Sequence, residues 1–316
     1  MEVKAFRLAE KLGENINSLF IGKEDVVENL LICLFAGGHV LLEDVPGVGK
    51  TTLAGVLAKS IGCSFGRIQF NPDTLPGDVA GVSVYNQKTG EFEYRAGAVM
   101  SQILLADEIN RTAPKTQSSL LEAMAEGQVT VDGEVHALPR PFMVIATQNP
   151  VEFIGTYPLP EAQMDRFMMR LSMGLPDRAE ELAILEKYMD KEPLAELESV
   201  LTLEELATAR EEAGRTFVHK CVQEYMVDIV EATRAGEQIV MGVSPRGNLA
   251  LLRCAKAYAY LDGRDYVTPD DIKALAVPVL AHRVVLGYGS GGTENSRKWM
   301  EQLVAGIPVP TEEFIQ

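Results

Sequence analysis

The sequence predicts an α/β fold: a mostly parallel sheet sandwiched by helices, carrying two β-hairpin insertions and followed by a small all-α domain. Three observations predict it. Short apolar runs such as Val40–Glu43, Ile103–Ala106 and Phe142–Thr147 alternate with helical stretches, and each ends in turn or polar residues. Strands apolar along their whole length belong in a parallel sheet buried on both faces. Second, Val82 to Arg95 and Gln128 to Leu138 alternate around Lys88-Thr89-Gly90 and Asp132-Gly133, the signature of hairpins. Third, from Asp177 onward the patterning is helical only, which divides the chain into residues 1–174 and 175–316.

Taken in order, residues 1–20 set Phe6, Leu8, Ala9, Leu12, Ile16 and Leu19 at mostly helical spacing, and Ile21-Gly22-Lys23 breaks the run. A second helix extends from about Glu24 to Phe35 and stops at Gly37-Gly38. The strand Val40–Glu43 leads through a glycine turn into a helix that runs to Ser60, before Gly62. Phe65 to Phe70 is a strand ended by Asn71-Pro72-Asp73, and the first hairpin follows it. Ile103–Ala106 is a strand, Pro114 to Ala125 a helix stopped by Gly127, and then comes the second hairpin. Phe142–Thr147 ends at Gln148-Asn149, and Phe167 to Met173 is a fifth sheet strand. Helices are expected over 178–190, 202–213, 219–235, 244–261 and 268–282, with Gly287 to Gly292 as a flexible joint before a last short helix.

With 316 residues the chain can bury a large core, and 47% apolar against 23% charged residues is an ordinary globular balance. The net charge of −16, with no segregated basic stripe, disfavours a nucleic-acid partner. Cysteines 33, 63, 221 and 254 are widely spaced in apolar surroundings, as buried thiols of a reducing cytoplasm would be, and they offer no zinc or disulfide pattern. The longest apolar stretch, Leu30 to Leu42, is too short to span a bilayer, and the charged N-terminus carries no secretory signal. A soluble, cytoplasmic protein is expected.

The turn between strand and helix carries the chemistry. Pro46, Gly47, Val48 and Gly49 precede Lys50, Thr51 and Thr52 at the start of the helix. Such a turn aims backbone N–H groups at a phosphate chain, and its glycines let the phosphates come close. Lys50 then reaches the β and γ oxygens, and the Thr51 hydroxyl ligates Mg²⁺. One position departs from G-x-x-x-x-G-K-[ST], because Asp44 stands where the first glycine belongs. The competing reading is an ordinary strand–turn–helix with an exposed lysine.

Asp107-Glu108 end an apolar strand, where a parallel sheet would bring them to the same crevice as the loop. Asp107 is the candidate metal carboxylate and Glu108 the candidate general base that activates water; alternatively, two acids there cap the next helix. Asn149, at the end of the next strand, is placed to orient that water, or is a turn residue.

Seven segments in order, LLEDVPGVGKT, LLADEINR, KTQSSLLEAM, ATQNP, GTYPLPEAQMDRF, SPRGNLALL and YVTPDDI, resemble the MoxR family of AAA+ ATPases over residues 15–310. The resemblance implies a P-loop NTPase core with a helical lid, using ATP/ADP and Mg²⁺. It implies a ring of identical subunits, a hexamer in this family, that remodels or matures client or adaptor proteins, often von Willebrand A-domain proteins. By the same resemblance Asn149 is the sensor-1 residue, Arg166 an arginine finger reaching into a neighbour's site, and Arg246 the sensor-2 residue, acting in cis or in trans. The competing role for Arg166 is an ion pair with Asp165 or Glu161. The resemblance also places Ile21-Gly22-Lys23 and the start of the lid beside the adenine, with Gly22 in contact, and makes the hairpins the helix-2 insert and the pre-sensor-1 hairpin. Two other functions stay open: a nucleotide-gated binding module with little turnover, and a DNA-associated motor. Against the latter, the first hairpin offers only Lys88 and Arg95.

Overall fold

The computed structural model describes residues 2–150, 155–189, 194, 197–236, 238–287 and 293–310. Helices α1 (Glu2–Asn17) and α2 (Glu24–Ala36) lead into strand β1 (Val40–Glu43) and helix α3 (Lys50–Ser60). Then come β2 (Phe65–Gln69), the short α4 (Pro76–Ala80), the hairpin β3 (Gly81–Asn86) and β4 (Glu91–Ala96), and β5 (Ile103–Asp107). Helix α5 (Pro114–Glu126), the hairpin β6 (Gln128–Val131) and β7 (Glu134–Ala137), β8 (Met143–Gln148), α6 (Glu161–Met164) and β9 (Met169–Leu171) follow.

These strands form one five-stranded sheet in the order β2-β5-β8-β1-β9, every neighbouring pair parallel. Alternation sorts the side chains onto two faces. Leu42, Leu105 and Ile145 face α2 and α3, whereas Leu41, Leu104, Val144 and Ala146 pack with Leu120, Leu121 and Met124 of α5. The connection from β1 leaves toward the β2 edge and that from β8 toward β9, so the topology switches between these adjacent strands. Ligands of open α/β sheets bind in the crevice at the carboxyl ends of such a pair.

The remaining chain is helical: α7 (Arg178–Tyr188), α8 (Leu203–Gly214), α9 (Lys220–Ala232), α10 (Pro245–Leu261), α11 (Pro269–Leu280) and α12 (Thr293–Gly306). Its starts are written in the sequence. Ser244 and Thr268 cap α10 and α11 with a proline at the next position, and Asp177 and Thr202 form capping boxes with Glu180 and Glu205. A two-stranded antiparallel ribbon, β10 (Ile239–Met241) with β11 (Val285–Leu286), is added to this helical region. It pairs segments too short for a period-two signal. The glycine-rich joint expected over 287–292 lies, beyond Gly287, outside the described residues. Helix α2 is apolar nearly all round because it is covered twice, by the sheet on one side and by α8 and α10 on the other. A single apolar cluster therefore runs from the sheet into the helical region.

The two hairpins leave the sheet on the α5 side and touch each other. The Tyr94 and His136 rings stack with centroids 3.8 Å apart, 11° from parallel. On the first hairpin, Phe92 lies against Tyr85 at 5.4 Å and is 74% exposed.

Candidate functional site

At the carboxyl rim, β1 ends at Glu43 and the chain turns through Asp44 to Gly49 into α3. Gly47 and Gly49 take φ of 88° and 93°, which a residue with a Cβ adopts only under strain. Lys50 is buried at the helix start, and its ammonium folds back to donate to the Asp44 carbonyl at 2.8 Å and the Val45 carbonyl at 3.4 Å. Burial pushes its pKa down, against the pull of the Asp107, Asp44 and Glu108 carboxylates. A poorly solvated cation beside the free N–H groups of an 11-residue helix is matched to a polyanion. Pro46, Gly47 and Thr51 are exposed, and Val48, Gly49 and Thr52 half-buried, so the loop presents an accessible concave face.

Asp107 and Glu108 arrive at the same rim from β5. The buried Thr147 of β8 organises both: its hydroxyl donates to Asp107 Oδ1 at 2.7 Å and accepts from the Glu108 backbone N–H at 2.8 Å. Glu108 sits at φ 56°, the left-handed region a side chain seldom adopts, and its carboxylate makes no helix-capping bond. Its backbone carbonyl accepts the Arg111 N–H at 2.9 Å as the chain enters a short 3-10 turn, which leaves the carboxylate itself available at the rim. Asn149 follows β8 at the same rim and is 7% exposed.

Sequence reasoning missed the residues that hold these acids. Arg67 Nη2 donates to Asp107 Oδ2 at 2.8 Å, Gln69 Nε2 donates to Glu108 Oε2 at 2.7 Å, and Arg111 Nε lies 3.2 Å from the same oxygen. Arg67 and Gln69 flank the buried Ile68 in β2, so strict alternation already set both on the face opposite to it. By sequence alone Asp44 is likewise only a departure from the loop pattern. It is buried and accepts from Ser172 Oγ at 2.8 Å, Met173 N at 2.8 Å and Gly174 N at 2.9 Å.

Gly22 and the start of the helical region do come together. Lys23 Nζ donates to the Leu175 carbonyl at 3.2 Å and lies 3.4 Å from Glu180. Gly22 has φ 76°, so any side chain there would be strained, and its Cβ would push the Glu180 carboxylate aside.

Arg166 and Arg246 sit elsewhere. Asp165 and Arg166 precede β9, which runs parallel to β1 with Val40 opposite Met169, and Met168 N donates to the carbonyl of His39, the residue before β1. Both are therefore at the amino rim, separated from the loop by the length of β1. Four residues at about 3.3 Å each make that roughly 13 Å. Arg166 Nη1 donates to the Leu121 carbonyl of α5 at 2.9 Å. Its neighbour Asp165 is engaged by the helical region instead: Arg283 makes a close ion pair with it, Ser244 Oγ donates to it at 3.2 Å, and Arg246 Nη1 lies 3.9 Å away. Arg283 is buried and also donates to the Phe167 carbonyl at 2.7 Å. The Arg246 side chain stays 58% exposed.

The donor set at the carboxyl rim suits a nucleoside triphosphate with a divalent metal: helix N–H groups, one ammonium, one hydroxyl and two carboxylates around a glycine turn. Among the described residues, no helix is long and apolar enough to cross a membrane.

Comparison with known proteins agrees with this geometry. Residues 39–169 match the model of the ATPase family associated with various cellular activities (AAA), and residues 231–300 match the AAA lid domain. YeaC of Bacillus subtilis is 55% identical over 88% of this chain and 87% of its own. The chaperone MoxR1 of Mycobacterium tuberculosis is 41% identical over 89% of this chain and 76% of its own. The crystal structure of an ATPase candidate from Cytophaga hutchinsonii superposes with a TM-score of 0.90 at 36% identity, over 98% of this chain and 97% of that one.

Proposed function

Since this chain belongs to the MoxR family of AAA ATPases, we propose that it remodels partner proteins as a ring of its own copies, hexameric as its family resemblance suggests. Residues 1–174 act as the nucleotide-binding unit and residues 175–316 as the lid. The observation that carries this reading is the split of the candidate residues between the two rims of the sheet. The loop, Asp107, Glu108 and Asn149 lie at one end, and Arg166 and Arg246 at the other, roughly 13 Å away by strand rise. An arginine so far from its own loop serves a neighbour's, so Arg246, like Arg166, acts in trans.

In this mechanism the N–H groups of the loop cradle the phosphates, and Lys50 exchanges the Asp44 and Val45 carbonyls for phosphate oxygens. Thr51 and Asp107 would hold Mg²⁺, which would supply charge neutralisation on the phosphates. Glu108 takes the proton of the attacking water, Asn149 orients that water, and Thr147 fixes the acids in place. Gly22 and Lys23, with the lid start at Leu175–Glu180, flank the adenine. The neighbour's guanidinium stabilises charge on the transferred phosphoryl oxygens.

The net charge of −16 and the scarcity of basic residues on the hairpins favour a protein client over nucleic acid, and the exposed Phe92 and Tyr85 offer it an apolar contact. By family resemblance the client or adaptor is of the von Willebrand A-domain class, and the setting is the cytoplasm.

Mixing two inactive proteins tests the split. Arg166→Ala should bind ATP normally and lose turnover by about 10³-fold or more. Glu108→Gln should bind ATP and stall. A mixture of the two should regain activity well above the sum of its parts, because some interfaces pair an intact base with an intact arginine. No recovery at any ratio, or a protein that stays monomeric with ATP in light scattering, would overturn the ring.

A further inference from the structure

The common phosphate loop begins with glycine, and in this chain that position is Asp44. Among the described residues, the side-chain-bearing positions with positive φ are Lys23, Glu108 and Asp132, so Asp44 holds an ordinary backbone and can carry a side chain inward. That side chain is 5% exposed. Its three hydrogen bonds all go to one short stretch: the hydroxyl of Ser172 and the backbone N–H groups of Met173 and Gly174. This stretch leaves β9 at Leu171 and enters the lid at Arg178. The Asp44 backbone faces the other way, into the loop, where its carbonyl accepts the Lys50 ammonium at 2.8 Å and its N–H donates to the Gln148 carbonyl at 3.2 Å.

We propose that Asp44 is a positioning residue that couples phosphate occupancy of the loop to the setting of the 172–174 connector, and through it to the lid. The coupling rests on the nucleotide reading given above. When Lys50 turns to a phosphate, the Asp44 carbonyl loses its ammonium partner and the peptide at the mouth of the loop readjusts. The carboxylate on that same residue carries the connector along. Charge-assisted hydrogen bonds from a buried carboxylate are costly to break singly, so Asp44 and residues 172–174 move as one unit. Two sites that bias one shared element are linked reciprocally. Beyond the connector, Lys23 grips Leu175 and Glu180, so the moving unit ends where the adenine flank begins.

Amide exchange on the full-length protein, with and without a non-hydrolysable ATP analogue, tests the coupling, with analogue affinity measured separately by calorimetry. In the unaltered protein the analogue should slow exchange across residues 172–177 by about tenfold or more. Asp44→Asn presents an amide N–H₂ where a donor must be accepted, and Asp44→Gly restores the common loop residue while deleting the carboxylate. Both should abolish the analogue-dependent difference and change analogue affinity by no more than the coupling factor itself, because the linkage is reciprocal. Ser172→Ala, which removes one donor and leaves the loop untouched, should fall between, and it serves if the Asp44 variants fail to fold. Faster exchange by equal factors with and without the analogue would mean a mere staple, and would overturn the coupling while leaving the nucleotide reading intact. An unaltered protein that binds no analogue would overturn both.

Discussion

The two rims of the sheet are built on opposite plans. At the carboxyl rim Thr147 anchors the two acids, but Lys50 and the outward carboxylate oxygens are held by partners they can give up: Lys50 by two carbonyls, Asp107 Oδ2 by the half-exposed Arg67, Glu108 Oε2 by Gln69 and Arg111. At the amino rim the central contacts are buried, with Arg283 locked between Asp165 and Phe167, while Arg246 stays more than half exposed. The difference teaches that one end is prepared to exchange partners and the other to hold a shape. In the proposed mechanism an incoming triphosphate would meet groups that need only let go, whereas an arginine offered to a neighbour would need a rigid mount.

The largest effect that tests this contrast is at Lys50. Lys50→Ala should weaken ATP binding by on the order of 100-fold, since a preorganised cation is lost from a desolvated site. Calorimetry measures it, and unchanged affinity would break the comparison at its exchangeable end. The same variant should still rescue Arg166→Ala subunits in mixtures, because its amino rim is whole.

Acid should strike the rigid rim next. His39 accepts from Val144 N–H at Nδ1 and donates from Nε2 to the Met124 carbonyl, which fixes the neutral ring. Burial pushes its pKa down to about 4. Between that value and the ordinary 6.5 the unfolded chain binds the proton and the folded chain does not. Stability is therefore complete above about pH 6.5 and falls as pH drops toward 4, by about 2 kcal/mol once the ring's partial exposure is allowed for. His282, buried and also held neutral, acts with the same sign. Denaturant melts from pH 7 to pH 4.5 would show it, and His39→Gln should flatten the dependence.

The smallest effect returns to the exchangeable rim. Arg67→Ala removes a half-exposed partner of Asp107 worth no more than about 1 kcal/mol, so half-saturation by Mg²⁺ in the ATPase assay should fall by up to about fivefold. A rise would mean that Arg67 supports metal binding.

How much of this was legible follows from distance along the chain. The apolar strands, the glycine turn and the capped helices announce themselves within a dozen residues, and each stands near its expected bounds. Asp44 could not be read that way, because its partners lie about 130 residues downstream and two of them are backbone N–H groups. Asp165 finds Arg283 118 residues on, and Arg166, for which a local ion pair with Asp165 or Glu161 is the alternative, donates to the Leu121 carbonyl 45 residues back. Helices α4 and α6 contain five and four residues, less than a periodicity needs. The rim of Arg166, by contrast, was latent in the sequence: a residue that precedes a parallel strand lies opposite the loops that follow its neighbours.

The stack of Tyr94 on His136 has a mechanical consequence. Two ribbons that leave the sheet at different points are joined by a pair of stacked rings, so movement of one is resisted through the other. A tug on the exposed Phe92 end is felt at the base of β6, directly after α5, the helix whose Leu121 carbonyl holds Arg166. Load on the outermost aromatic thus has a short solid path back to the arginine.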